Sequence, residues 1–374
     1  MRILYGVVSE GMGHATRSRV VLEHLAARGH DIRVVVSGRA HGFLRKAFAD
    51  VENVNFEEIA GLHLDFGDDG LDLPSSLLTN LKAAPKRLLQ NLDVVTRVAE
   101  AGFEPEIVFS DFESWAYFYA RSKGIPVVSI DNMQILNRCA LPDATTAGGG
   151  FDYQLAKFAV KTKLPGAYHY LITSFFFPPV RKPRTTLVPP ILRPQVLAAR
   201  REPGRHVLVY QTSAATRDVL VPVLRSLPGE FRVYGLGIEG VDGNVTLCGF
   251  SEQGFVDDLR TAKAVIANGG LSLMSEAVHL GVPMLSVPIG GQFEQECNAR
   301  WLSELGYGMW SERFHPAEVE TFLAGLDGYA RNLRSYVPQD NGMLFACVDE
   351  LIGRVSLGKP PPERLDSLSM GSWQ

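Results

Sequence analysis

The chain lacks most of the features that would commit it to a membrane, a zinc site or a nucleic acid. No apolar run approaches the ~18 residues of a spanning helix. Its four cysteines (Cys139, Cys248, Cys297, Cys347) lie far apart with no Cys-x-x-Cys pair, which excludes a zinc knuckle and a disulfide framework. Charge of one sign is lacking too. The net charge is −4, evenly split between the two halves of the chain, so there is no broad footprint for nucleic acid. With 46% hydrophobic and 21% charged residues, a disorder signature is also missing. The opening MRILYGVVSEG shows no signal-peptide architecture and reads as a strand. These absences lead us to expect a reduced, cytoplasmic protein.

The 374 residues suggest two domains or three. Short apolar runs such as Ile3 to Val8 and Ile32 to Val36 alternate with helical spacing, as at residues 16–28. This predicts an α/β fold of doubly wound parallel sheets. Seven prolines between Pro178 and Pro203 mark a linker at 181–204. After it the pattern restarts with HVLVY at 206–210. Residues 106–130 and 263–287 each read strand, turn, helix, Gly-x-Pro, strand, so the chain holds two similar halves rather than a short-period repeat. We expect domains at 1–180 and 205–340, a helix at 341–357 that returns to the first domain, and a poorly ordered tail at 358–374. Residues 75–100 read as an amphipathic helix interrupted by Pro85, its charged side either solvated or facing a membrane or an acceptor.

In open α/β sheets, ligands bind where strands end and loops lead into helices. Four such loops carry chemistry. In Glu10 to Arg17, Thr16 replaces the third glycine of a dinucleotide loop and no acid closes the second strand, which disfavours NAD; a P-loop lysine is absent as well. What remains is a turn, Gly11-Met12-Gly13, that brings His14 to a helix start, either to bond backbone or to serve as a general base. Asp111, after the strand Ile107 to Phe109, either caps the next helix or orients His14. Asn268-Gly269-Gly270-Leu271-Ser272 opens a helix whose free N–H groups suit an anion, and Glu276 lies one turn deeper on the same face. The bland alternative is a turn capped by Ser272 with Glu276 in solvent. Gln292, Glu294, Gln295 and Asn298 crowd the last loop, as a reader of several hydroxyls or simply as a polar helix start. The pairs Asp68-Asp69 and Asp257-Asp258 have no metal-site context and are expected at the surface.

NGGLSLMSEAVHLGVPMLSVPIGGQFEQECNA (268–299) resembles the donor-binding signature of GT-B glycosyltransferases, and GMGHATRS (11–18) looks like their Gly-x-Gly-His loop. With SDFE at 110–113, the chain is most similar to a bacterial and archaeal subgroup labelled teichoic acid or polysaccharide glycosyltransferases. The resemblance implies two Rossmann-like domains facing a cleft. It implies that Gly270, Leu271 and Ser272 hold a diphosphate, with Gly13, Asn268 and Gly269 beside it. Glu276 would bind ribose; Gln292, Glu294 and Gln295 the sugar; Thr212 and Ser213 phosphate; Phe250 and Ser251 the base. His14 would be the catalytic base and Asp111 its partner. Many relatives have His where Asn268 stands, and an amide cannot carry positive charge.

The expected function is inverting, metal-independent hexosyl transfer from a nucleotide diphosphate sugar, with UDP as the expected nucleotide, to a hydroxyl of a glycan, lipid or small molecule. No cofactor and no nucleic acid are expected, and peripheral membrane contact is left open. The alternatives are a nucleotide-sugar 2-epimerase and a catalytically silent nucleotide-sugar-binding partner subunit.

Overall fold

The computed structural model describes the chain apart from residues 9–11, 62–64, 68–69, 212–216 and 366–374, and describes the backbone but not the side chains of the remaining residues within 62–85 and of 147 and 217–218. Two seven-stranded sheets dominate. The first is wholly parallel and runs in the order Val54–Glu58, Asp31–Val36, Arg2–Val7, Ile107–Asp111, Val127–Asp131, His169–Thr173, Thr185–Val188. The second runs Gly240–Asp242, Val245–Leu247, Glu230–Tyr234, His206–Tyr210, Ala264–Ala267, Met284–Ser286, Gly308–Trp310, with only its first pair antiparallel. Each order reverses beside the sheet's opening strand, which creates a crevice at the strand ends.

The alternation of side chains along a strand explains why both faces of each sheet are covered. Ile3, Tyr5 and Val7 point toward the helix Met12–Ala27, while Leu4 points into a core shared with the helices Leu73–Glu100, Ser114–Lys123 and Phe151–Lys163. In the second sheet, Val207 and Val209 face the helix Arg217–Ser226, and Leu208 faces the helices Glu252–Thr261, Leu271–His279 and Phe293–Glu304. One core crosses between the domains. Tyr153 packs on Phe293 with ring centroids 5.6 Å apart, and Phe176 stacks on Trp301 at 4.7 Å.

Several expected boundaries move. The stretch 181–204 is not all linker, because Thr185–Val188 is the edge strand of the first sheet and Val188 is fully buried. Part of the tail is ordered against that edge. The Glu363 carbonyl accepts from the Arg184 and Thr185 amides, and Leu365 is buried. The first helix begins at Met12 rather than at residue 16, and Leu73–Glu100 runs through Pro85 without a break. A proline inside a helix removes one backbone hydrogen bond and crowds the preceding turn, yet the 28-residue helix is continuous there. Asp258 is not a surface residue either: it accepts from Tyr234 Oη at 2.6 Å and pairs with Arg232. Asp68 and Asp69 lie outside the described residues. Among the described residues, no helix is long and apolar enough to cross a membrane.

The helix Gly342–Ser356 lies on the first domain. Leu344, Cys347, Val348 and Leu351 join its core, Phe345 stacks on His24 at 4.2 Å, and Asp349 pairs with His24 and Arg28. Since the crossing back is held mainly by apolar burial, Leu351→Ala is expected to lower unfolding free energy by about 2–5 kcal/mol. Chemical denaturation checks this, and Leu357→Ala, at an exposed site, should change stability by less than about 0.5 kcal/mol.

Candidate active site

The opening strand of the first sheet ends at Val7, and the helix that follows starts at Met12. This geometry puts His14 in the first helical turn, beside Asp111 at the end of the neighbouring strand. His14 Nδ1 lies 2.8 Å from Asp111 Oδ1. Asp111 caps nothing. The next helix is capped by Glu113, whose carboxylate accepts from the Trp115 and Ala116 amides.

Asp111 is buried, with only 1% of its surface exposed, and such a carboxylate needs partners. It receives Arg17 Nε at 2.8 Å on Oδ2, a further Arg17 nitrogen on Oδ1, and Ser18 Oγ at 2.9 Å. Burial alone would raise its pKa, but Arg17 and His14 outweigh that and hold the carboxyl well below the usual range. Arg17 also reaches His14 Nδ1 at 2.7 Å. The carboxylate and the guanidinium therefore meet at one imidazole nitrogen, and Nε2 has no hydrogen-bond partner among the described residues.

Arg17 leads across the cleft. It donates to Asn132 Oδ1 at 3.3 Å, and Asn132 Nδ2 donates to Glu294 Oε1 at 2.6 Å. Asn298 Nδ2 reaches the same Oε1 at 2.8 Å and the Gly269 carbonyl at 3.1 Å. His14 and the glycine turn of the second domain thus share one hydrogen-bonded chain. Spacing carried a signal for Arg17, three residues beyond His14 on one helix face. Asn132 had none, because its partner is 162 residues away.

The two helix starts touch. Ser272 Oγ donates to the Gly13 carbonyl at 3.2 Å, and a Cβ at Gly13 would sit 2.9 Å from that hydroxyl. Ser272 therefore spans the cleft instead of capping its own helix, where Gly270 holds the cap position without a side-chain bond. Neither helix has an acidic residue in its first turn. The two positive dipole ends thus meet with no acidic residue in either first turn, a setting that favours an anion.

Around these helix starts the expected residues divide by use. A Cβ on Gly269 would fall 2.3 Å from the Gln295 carbonyl, so the turn requires glycine. Gln295 is buried. Its Oε1 accepts from the Gly269 and Ile289 amides, and its Nε2 donates to Gln292. It serves here as loop scaffold rather than as an open reader of hydroxyls. Asn268 donates to Gln211 Oε1 at 2.8 Å. Leu271 is buried, Ser251 caps the helix at Glu252, and Phe250 stands 87% exposed. Thr212 and Ser213 lie outside the described residues.

Glu276 is neither solvated nor open. It is buried and takes a two-pronged contact from Arg193, Nε to Oε1 and a terminal nitrogen to Oε2, each at 2.7 Å. Arg193 also lies 3.7 Å from Glu252, which in turn lies 3.3 Å from Arg19 of the first domain. Arg193 follows a run of prolines, where no sequence signal pointed to it. Among the described residues, no group of three or more His, Cys, Asp or Glu is placed to hold a metal.

A family model described as Glycosyl transferase family 1 matches residues 1–327. A glycosyltransferase of Methanosarcina mazei, described as uncharacterized, is 28% identical over 350 residues, covering 85% of this chain and 88% of the relative. Two solved structures share the architecture at low identity. A UDP-glucosyltransferase from Polygonum tinctorium, in complex with 3,4-dichloroaniline, superposes with a TM-score of 0.66 at 14% identity, covering 95% of this chain and 98% of its own. A spinosyn rhamnosyltransferase complexed with thymidine diphosphate superposes at 0.61 and 20% identity, covering 94% of this chain and 100% of its own.

Arg17→Met would leave Asp111 buried without its main counter-charge, at an expected cost of about 3–5 kcal/mol. The double change Arg17→Met/Asp111→Leu is expected to recover part of that loss. Urea denaturation of both variants measures the difference.

Proposed function

The chain belongs to glycosyl transferase family 1 and has the GT-B fold, and from this premise we propose that it is an inverting, metal-independent transferase of a hexose-type sugar from a UDP-linked donor to an acceptor hydroxyl. The observation that carries the reading is the gap between the two helix starts, with His14 on one wall and an acid-free glycine turn on the other. In the proposed reaction the acceptor oxygen bonds to the anomeric carbon from the face opposite the diphosphate. The bond from that carbon to the diphosphate oxygen breaks, and His14 Nε2 takes the hydroxyl proton. Preorganised amides of Gly270, Leu271 and Ser272 stabilise the departing diphosphate. No metal or other cofactor is needed for these steps.

Glu294 suits a sugar contact, because both of its hydrogen bonds fall on Oε1 and leave Oε2 for substrate hydroxyls. Glu276 suits ribose if Arg193 stays in place: each carboxylate oxygen accepts more than one hydrogen bond, and Arg193 uses one lone pair on each. The uridine assignment draws on the resemblance of residues 268–299 and on a structural relative named as a UDP-glucosyltransferase. The other relative's thymidine diphosphate makes dTDP the comparison to run.

Thermal denaturation with UDP, dTDP, GDP and NAD tests the donor. Ligand at about 100 times its Kd stabilises by about 2.7 kcal/mol. A UDP-selective rise in Tm that Glu276→Gln abolishes is the expected result; no response to any uridine or thymidine nucleotide would overturn the donor assignment. With a working donor and acceptor, His14→Ala is expected to lower turnover by about 10²–10⁴-fold while leaving the UDP response intact. Unchanged turnover would remove His14 from the chemistry.

A further inference from the structure

The helices Leu73–Glu100, Ser114–Lys123 and Phe151–Lys163 cover one face of the first sheet, and their outer side is unusual. Of the thirteen large hydrophobic side chains exposed among the described residues, seven lie on this single layer. The Phe151 helix is the plainest case. Its inner face buries Tyr153 and Val160, while Phe151, Leu155 and Phe158 are 79%, 47% and 64% exposed. Their spacing of four and three residues stacks them into one ridge pointing straight away from the core. Leu88, Leu89 and Leu92 on the helix Leu73–Glu100 and Phe118 on the helix Ser114–Lys123 are exposed as well.

Charge follows the same layer. Residues 86–100, 114–123 and 151–163 carry eight Lys or Arg against three Asp or Glu, in a chain whose net charge is −4. Arg121, Lys123, Lys157 and Lys161 make no ion pair among the described residues, with Lys123 over the Tyr119 ring and Lys157 over the Tyr153 ring; Lys163 sits over the Phe112 ring at 4.0 Å, near the Glu113 carboxylate. Apolar side chains flanked by unpaired cations gain from a surface that is negative outside and hydrocarbon within. A second copy of the chain suits the layer poorly, since a two-fold contact would press one positive face against another. The layer also borders the cleft, through the packing of Tyr153 on Phe293, the residue before Glu294.

We propose that this helical layer docks on the surface of an anionic lipid bilayer, with the ridge Phe151, Leu155, Phe158 entering the interface and the lysines around it engaging headgroup phosphates. The mouth of the cleft is thereby held at the membrane. The proposal does not depend on the donor assignment, since no residue of the ridge touches the gap between the helix starts.

Sedimentation of the full chain with vesicles tests it, using phosphatidylglycerol mixed with phosphatidylcholine against phosphatidylcholine alone. Binding to the anionic vesicles is expected, weaker by about tenfold or more on neutral ones and in high salt. Phe151→Ser/Leu155→Ser/Phe158→Ser should abolish it, and Lys157→Glu/Lys161→Glu should weaken it by about tenfold. All five side chains project from the outer or flanking surface, and an unchanged Tm of each variant, read without nucleotide, confirms folding. Equal binding by the triple variant, or no binding by the native chain, would overturn the proposal. So would a dimer, seen by analytical ultracentrifugation, that the triple variant dissolves while vesicles are ignored.

Discussion

The buried pairing of Asp111 with Arg17 organises the site. A carboxylate removed from water at the end of a central strand is costly, and that cost is offset only when several donors converge on it. Arg17 and Ser18 do so from the helix that follows the opening strand, fixing the orientation of its first turn. His14 sits in that turn, so its position follows from the ion pair more than from its own bonds. Arg17 counters the aspartate's charge, and both groups meet the His14 ring at Nδ1.

The same constraint continues through amides. Asn132 passes the Arg17 contact to Glu294, and Asn298 carries it to the glycine turn, so both walls of the cleft are referenced to one buried charge. A second pair, Glu276 with Arg193, ties the deeper part of the second domain to the segment joining the domains. Together with the aromatic contacts at Tyr153 and Phe176, these links make the cleft a cross-braced structure in which both helix starts face inward.

Much of the fold was legible locally. Apolar runs of four to six residues alternating with helical spacing point to buried parallel strands, because a strand covered on both faces has no reason to alternate. Boundaries were less legible where packing overrides local preference. Thr185–Val188 lies among prolines and becomes a strand because the edge of a sheet lacks partners on one side and tolerates proline near it. Residues 363–365 look like a tail in sequence, but they satisfy the free amides of that edge and bury Leu365 against it.

The amino-acid sequence by itself determined the α/β class, the loops at the strand ends and the identity of the chemical groups on them, since each depends on spacing within a few residues. Only the tertiary structure decided which of those groups are used up and which stay open. Gln295 is consumed by loop amides and Ser272 by Gly13, and Glu276 shares its two oxygens with Arg193, whereas His14 Nε2 and Glu294 Oε2 have no partner among the described residues. A hydrogen-bonding group is committed by whatever donor or acceptor packs within about 3 Å of it. For Asp111 and Glu276, and for one of the two partners of Glu294, that partner lies tens to more than a hundred residues away, a distance across which no local pattern in a chain carries information.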